Sequence, residues 1–128
     1  MDYIKLINYK IYVCQNQNIR IYDEPIVRFF NRILKDGLVD LKTREYLTKR
    51  KFGFKNKIPL VVNQEMAFLC IQSYRLEQAF YINYHQILYW EKSHKSVIIY
   101  FKDGHCLKVY SYDIFIKQID KVKTILNL

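Results

Sequence analysis

Val97-Ile98-Ile99-Tyr100-Phe101-Lys102-Asp103-Gly104-His105-Cys106-Leu107-Lys108-Val109-Tyr110 sets two apolar runs on either side of an Asp-Gly pair. Asp-Gly between such runs is the strongest short-range hairpin signal in this chain. A type I′ turn needs positive φ at both central positions, and these two residues tolerate it. Two strands are therefore expected, Val97 to Phe101 and Cys106 to Tyr110. Upstream, Leu60 to Val62, Ala67 to Ile71, Phe80 to Ile82 and Ile87 to Trp90 read as further strands. Downstream, Tyr112, Phe115, Ile116, Ile119, Val122 and Leu126 share one face of a helix, which Ser111 can cap. Lys117, Lys121 and Lys123 populate its other sides, the last two near the negative end of the helix dipole.

Toward the N-terminus, Tyr3 to Val13 reads as strand with a hairpin around Asn8, and Ile19, Ile21 and Tyr22 as a short further piece. Asp23 is placed to cap a helix with Pro25 in its first turn. Ile26, Phe29, Phe30, Ile33 and Leu34 recur at helical spacing, and Gly37 is placed to end the helix. Leu38, Leu41, Tyr46 and Leu47 outline a second short helix, which Gly53 and Asn56-Lys57-Ile58-Pro59 break. The expected fold is α+β: a largely antiparallel sheet with two or three helices, the C-terminal helix packed on the sheet. No repeat or internal boundary interrupts it, so residues 1–128 read as a single domain.

Seven basic side chains fall between Lys42 and Lys57: Lys42, Arg44, Lys49, Arg50, Lys51, Lys55 and Lys57. Only Glu45 opposes them, so this stretch carries +6 of the formal +9 charge, with Tyr46, Phe52 and Phe54 among the cations. Clustered positive charge beside aromatics is the footprint of a polyanion-binding surface, most often nucleic acid. The bland alternative is a solvated basic helix and loop; the local excess in a nearly balanced chain favours binding. Tyr74 and Arg75, in the polar break Gln72 to Gln78, are added as candidate contacts. Tyr84 has the stronger alternative of a half-buried strand residue. Lys92 and Lys95 read equally well as a phosphate contact and as a soluble turn.

Enzyme chemistry finds little support. His85, His94 and His105 lack metal-ligand spacing, and a Cys106–His105 dyad would put adjacent strand residues on opposite faces. Asp23-Glu24 read as helix-start residues, and Gly37, Gly53 and Gly104 make no phosphate-cradling loop. No metal, cofactor or small-molecule substrate is expected. Cys14, Cys70 and Cys106 are odd in number, far apart and set in apolar runs, so each reads as a buried free thiol. Met1-Asp2-Tyr3 does not open like a signal peptide and no apolar run reaches membrane-spanning length, so a cytoplasmic location is expected.

Four of these stretches, in order, resemble the ComK family of competence transcription factors from Gram-positive bacteria. They are Arg28-Phe29-Phe30 after Ile21-Tyr22-Asp23, Lys57-Ile58-Pro59-Leu60-Val61-Val62-Asn63, Phe101-Lys102-Asp103-Gly104, and Ser111-Tyr112-Asp113-Ile114-Phe115-Ile116-Lys117-Gln118. The last is similar to the family's Ser-x-x-x-Phe-x-x-Gln helix start. The resemblance spans roughly residues 10–126. It implies a regulator that binds A·T-rich promoter DNA, largely through the minor groove, as dimers or tetramers, and controls DNA-uptake genes. In that family an adaptor–protease system limits protein level.

The chain departs from the pattern in places. Leu41 to Arg44 stands where the family has a Gly-Arg element, and Leu69-Cys70-Ile71-Gln72 replaces its Phe-Pro-Thr. Tyr81 is the nearest match to its middle tryptophan. The chain stops soon after the terminal helix, so activation and adaptor capture, which the family associates with a C-terminal extension, are less expected than DNA binding. A thinner likeness, from Tyr81 to Val122, is to the second half of a LytTR DNA-binding domain.

The expected function is thus binding of double-stranded, A·T-rich DNA. Arg44, Lys49, Arg50, Lys51, Lys55 and Lys57 would neutralise phosphates, and arginine would enter a narrow minor groove. The alternative is a non-DNA interaction domain, either a short paralogue pairing with a related regulator or a protein docking on anionic membrane.

Overall fold

The computed structural model describes residues 1–35 and 39–128. In chain order its elements are β1 (Tyr3–Ile7), β2 (Lys10–Gln15), β3 (Asn18–Tyr22), α1 (Ile26–Ile33), α2 (Leu41–Phe52), β4 (Leu60–Val61), β5 (Ala67–Gln72), β6 (Phe80–Asn83), β7 (Ile87–Ser93), β8 (Ser96–Phe101), β9 (Cys106–Val109) and α3 (Tyr112–Leu126). A 3-10 turn, Tyr84–Gln86, links β6 to β7. One sheet has the order β3-β2-β1-β6-β5-β4 and a second has β7-β8-β9, with antiparallel pairing throughout. The fold is α+β, and its C-terminal helix docks on the sheet.

β5 explains the layering. Its run Ala67-Phe68-Leu69-Cys70-Ile71 is buried throughout, so both faces of the strand are covered. Phe68 and Cys70 face one core, with Ile4, Ile11, Phe29, Phe30, Leu41 and Tyr81. Ala67, Leu69 and Ile71 face the other, with Ile82, Val97, Ile99, Phe101, Phe115, Ile119 and Val122. The period-2 alternation of a strand therefore sorts one apolar run into two cores. Helix α1 covers the first, where the Phe30 and Tyr81 rings meet edge-on at 4.9 Å. The small sheet and α3 cover the second, where Trp90 meets Phe115 at 5.2 Å. The rings of Phe30, Tyr81 and Phe115 are fully buried, and each contributes about 1.5–3 kcal/mol.

Local expectations hold at some ends and fail at others. Asn8 and Tyr9, and then Asn16 and Gln17, take positive φ in pairs at the β1–β2 and β2–β3 turns. At the Asp-Gly hairpin only Gly104 does, at φ 99°. Its N–H donates to the Phe101 carbonyl at 3.0 Å, and the Phe101 N–H donates to the His105 carbonyl at 2.9 Å. The expected type I′ turn is thus replaced by a longer connection in which glycine alone is left-handed. The reason lies in Asp103, whose Oδ1 accepts from the His105 backbone N–H at 3.2 Å and meets the ring Nδ1 at 2.6 Å.

Asp23 does not cap α1. Pro25 is the N-cap with extended backbone and no side-chain cap, while Glu24 pairs with Arg32 at 2.7 Å. The helix-ending role expected of Gly37, and the place of Leu38 on the second helix, lie outside the described residues. Helix α2 does not bury Tyr46 and Leu47, which are exposed; its buried residues are Leu41 and Glu45. Cys14 and Cys70 are buried thiols, but Cys106 is exposed, on the outward register of β9.

Strand β4 is only two residues long, paired with Phe68 and Ala67. Pro59 before it has no N–H to offer, so the edge of β5 needs other partners. Gln118 of α3 supplies one: its Oε1 accepts from the Cys70 N–H at 2.9 Å. Its Nε2 donates to the Lys57 carbonyl at 2.6 Å. Lys57 supplies the other, its Nζ donating to the Ile71 carbonyl at 3.0 Å. Because Gln118 is buried, Gln118→Ala leaves an amide N–H and a carbonyl unpaired. We expect it to cost about 2–4 kcal/mol, read as a lower denaturation midpoint in urea, whereas Lys117→Ala on the adjacent exposed position changes stability little.

Candidate nucleic-acid interface

Helix α2 is held at both ends by residues suited to the task. Asp40 accepts from the Thr43 N–H at 2.8 Å, and that bond holds its carboxyl below the usual carboxylate range. Asn31 of α1 accepts from the Leu41 N–H at 2.8 Å. At the other end Gly53 takes φ 74°, left-handed backbone that favours glycine, and its N–H closes on the Lys49 carbonyl at 2.8 Å. Lys49, Arg50 and Lys51 fill the last turn, where cations offset the helix dipole. Thr48 donates its hydroxyl back to the Arg44 carbonyl at 2.9 Å, which satisfies the hydroxyl within the helix.

The anchoring of this helix is polar as well as apolar. Glu45 is buried and meets Arg75 at 2.6 Å. Arg44 turns inward, and its Nη1 donates to the Val61 carbonyl on β4 at 2.9 Å. These contacts fix which side looks out. Lys42, Tyr46 and Arg50 recur every four residues along the exposed side, with Lys49 beside them. Arg50 Nη1 donates to the Tyr46 hydroxyl at 3.2 Å. Lys51 is exposed on the opposite flank with Nζ over the Phe52 ring, which stacks with Phe54 at 5.8 Å. Lys55 is exposed in the following segment.

The nine expected contacts therefore separate. Lys42, Lys49, Arg50, Lys51 and Lys55 are exposed cations on α2 and its continuation. Arg44 and Lys57 are half-buried and donate to backbone carbonyls of β4 and β5. Tyr74 is 6% exposed, so its ring is part of the first core. Burial, and then the nearby Glu45 carboxylate, raise the pKa of its phenol. Arg75 keeps an exposed side chain but its guanidinium is engaged by Glu45, which raises its pKa further. Among the secondary candidates, Lys92 stands over the Tyr112 ring at 4.8 Å and Lys95 is exposed. Tyr84 is half-buried at the rim of the second core.

Tertiary structure adds cations that the linear cluster does not contain. Lys121 of α3 donates to the Asn56 carbonyl at 2.9 Å and lies over the Phe54 ring. Burial, together with the positive charges of Lys57 and Lys117, lowers its pKa. Lys57, Lys117 and Lys121 thus share one positive neighbourhood beside the end of α2. Periodicity shows that Lys117 and Lys121 lie four apart on one helix, but not that this helix docks against residues 54–57.

One further cluster was invisible to spacing. Asp2, Cys14 and His105 each present a ligand-type atom within 4.8 Å of the others. Burial, and then the neighbouring Asp103 carboxylate, raise the Asp2 carboxyl to about 6. Burial opposes the charged form of Asp103, but the neighbouring Asp2 carboxyl and the hydrogen bonds from His105 outweigh it and hold that carboxyl at about 2.

A family model described as the ComK protein matches residues 6–127. No curated protein and no solved structure matches the chain. No helix among the described residues is long and apolar enough to cross a membrane.

The division of cations has a direct consequence. Lys57→Met removes the donor to a β5 carbonyl and should destabilise the fold by about 1–3 kcal/mol. Lys49→Ala with Arg50→Ala should leave the unfolding midpoint within about 0.5 kcal/mol of the original while weakening retention on heparin. A folded Lys57→Met protein of unchanged stability would return Lys57 to the set of free cations.

Proposed function

The chain belongs to the ComK family, a family of competence transcription factors rather than enzymes, and from that premise we propose that it binds A·T-rich double-stranded DNA and regulates DNA-uptake genes. The observation that carries this reading is the exposed array Lys42, Lys49 and Arg50 around Tyr46, continued by Lys51 and Lys55. Lys and Arg on one helical face suit phosphates along a strand, where they release condensed counterions. Arg50 is the arginine for the minor groove, because Arg44 faces β4. A narrow A·T-rich groove has enhanced negative potential, and a guanidinium sheds hydration more readily than an ammonium. Specificity then comes mainly from groove shape, since minor-groove edges separate A·T from G·C but little more. In this reading the chain acts in the cytoplasm as one DNA-binding unit, and α3 contributes Lys117 and Lys121 at the margin.

Fluorescence anisotropy with A·T-rich and G·C-rich duplexes across a salt series tests this. Five phosphate contacts predict a log–log salt slope of roughly −4.5, with tighter binding to the A·T-rich duplex near physiological salt. Arg50→Ala should reduce the A·T preference, and Lys49→Ala should reduce the magnitude of the slope by about 1 while leaving that preference unchanged. Equal, weak binding to both duplexes that vanishes with salt would reduce the array to generic polycation behaviour.

Strand β3 favours a second role, pairing with another copy or a related regulator. It is an edge strand, with β2 on one side, and Ile19 and Ile21 are 58% and 55% exposed. An unpaired edge carrying apolar side chains is a template for strand addition. Sedimentation of the chain should show a species larger than the monomer, and Ile19→Lys with Ile21→Lys should shift it to monomer. A wild-type chain that sediments only as monomer across the concentration range would exclude this edge as a self-association site.

A further inference from the structure

Asp2 precedes β1, Cys14 lies in β2, and His105 leads into β9. The three converge where the hairpin of the small sheet reaches the N-terminal strands of the large one. The Asp2 side chain is 4% exposed, and its Oδ2 has no hydrogen-bond partner. His105 is fixed between rings, stacked on Phe101 at 4.6 Å with Tyr3 at 5.9 Å. Its Nδ1 is 2.6 Å from Asp103 Oδ1 and 3.5 Å from Asp2 Oδ2. Its Nε2 is 3.4 Å from the Cys14 sulfur.

We propose that Asp2, Cys14 and His105 form a binding site for a zinc-like divalent cation, with Asp103 as the carboxylate that positions the histidine. Thiolate, imidazole and carboxylate together suit Zn2+, which accepts S, N and O ligands. The spacing of the sulfur and the nitrogen fits as well, and Asp2 lies within 4.8 Å of both residues' ligand atoms. Zinc–sulfur and zinc–nitrogen bonds of about 2.3 and 2.0 Å at a tetrahedral angle put the two ligand atoms about 3.5 Å apart. Asp103 on Nδ1 selects the tautomer whose lone pair is on Nε2, toward Cys14. A carboxylate behind a ligating histidine is the usual outer partner of a metal-bound imidazole.

The competing explanation is a thiol–imidazole hydrogen bond and nothing more. It accounts for Cys14 and His105, and Asp2 then has to keep a proton against the neighbouring Asp103 carboxylate or rely on the His105 ring 3.5 Å away, since its buried Oδ2 has no hydrogen-bond partner. A cation among the three would instead take up the Asp2 carboxylate, the Cys14 thiolate and the His105 imidazole together. Three ligands leave a fourth coordination position open. Bound there, the metal clamps the hairpin of the small sheet to β1 and β2. The site is separate from the cations of α2 and stands whether or not the chain binds DNA.

The experiment is a Co2+ titration of the reduced, chelator-treated chain carrying no added tag next to Asp2, followed by Zn2+. One equivalent of Co2+ should give a thiolate charge-transfer band with the visible bands of a tetrahedral ion, and Zn2+ should abolish them. Cys14→Ser and His105→Gln should lose the charge-transfer band, while Cys106→Ser keeps it. In the unsubstituted chain, Zn2+ should shift the Nε2 nitrogen resonance of His105 and leave His85 and His94 unmoved, a readout that does not depend on any variant folding. Absence of a cobalt–thiolate band, its persistence in folded Cys14→Ser, or a shift at His85 or His94 instead would each overturn the proposal.

Discussion

Strand β5 runs out of neighbours before it runs out of length, and the rest of the molecule is arranged around that deficit. Strand β4 pairs with only its first two residues, and Pro59 cannot extend the ladder. A buried strand edge must still satisfy its backbone groups. Gln118 reaches from α3 to the Cys70 N–H and holds the Lys57 carbonyl with its other amide atom. Lys57 then takes up the Ile71 carbonyl. One amide thereby ties helix, sheet and the segment after α2 into a single hydrogen-bonded unit.

That unit positions the candidate interface. The segment carrying Phe54, Lys55 and Asn56 is fixed because Gln118 and Lys121 hold the carbonyls of Lys57 and Asn56. Helix α2 is fixed from the other side, through Glu45 to Arg75 and Arg44 to Val61. With its inward face committed to these contacts, its outward face has no choice but to present Lys42, Tyr46, Lys49 and Arg50. A helix with little apolar surface is thus oriented by a buried carboxylate and an inward arginine. Two charges of the basic cluster are used for architecture, and the exposed ones stay open to solvent.

The same logic gives physical content to the motif Ser111-x-x-x-Phe115-x-x-Gln118. Ser111 caps α3 by accepting from the Ile114 N–H at 3.2 Å. Phe115 fills the second core, and Gln118 completes β5. Cap, anchor and amide fall on one helical stripe, so a short pattern fixes where the helix starts, which face goes in and how far along the sheet it docks.

Sequence alone determined the elements with strong period or punctuation. The apolar runs of β5, β6 and β8, the face of α3 with its Ser111 cap, and the Gly53 stop of α2 were legible because each depends on neighbours in the chain. The basic excess from Lys42 to Lys57 was legible for the same reason. Tertiary structure alone decided which of those cations are free, because Arg44 and Lys57 find carbonyls 17 and 14 residues away. It decided that Tyr74 is core and that Lys117 and Lys121 join the basic surface. It also brought Asp2, Cys14 and His105 together, though Cys14 and His105 stand 91 positions apart. Local patterns record the periodicity of a helix or strand; a hydrogen bond between distant segments leaves no periodic trace, and only the folded chain assigns each charge its partner.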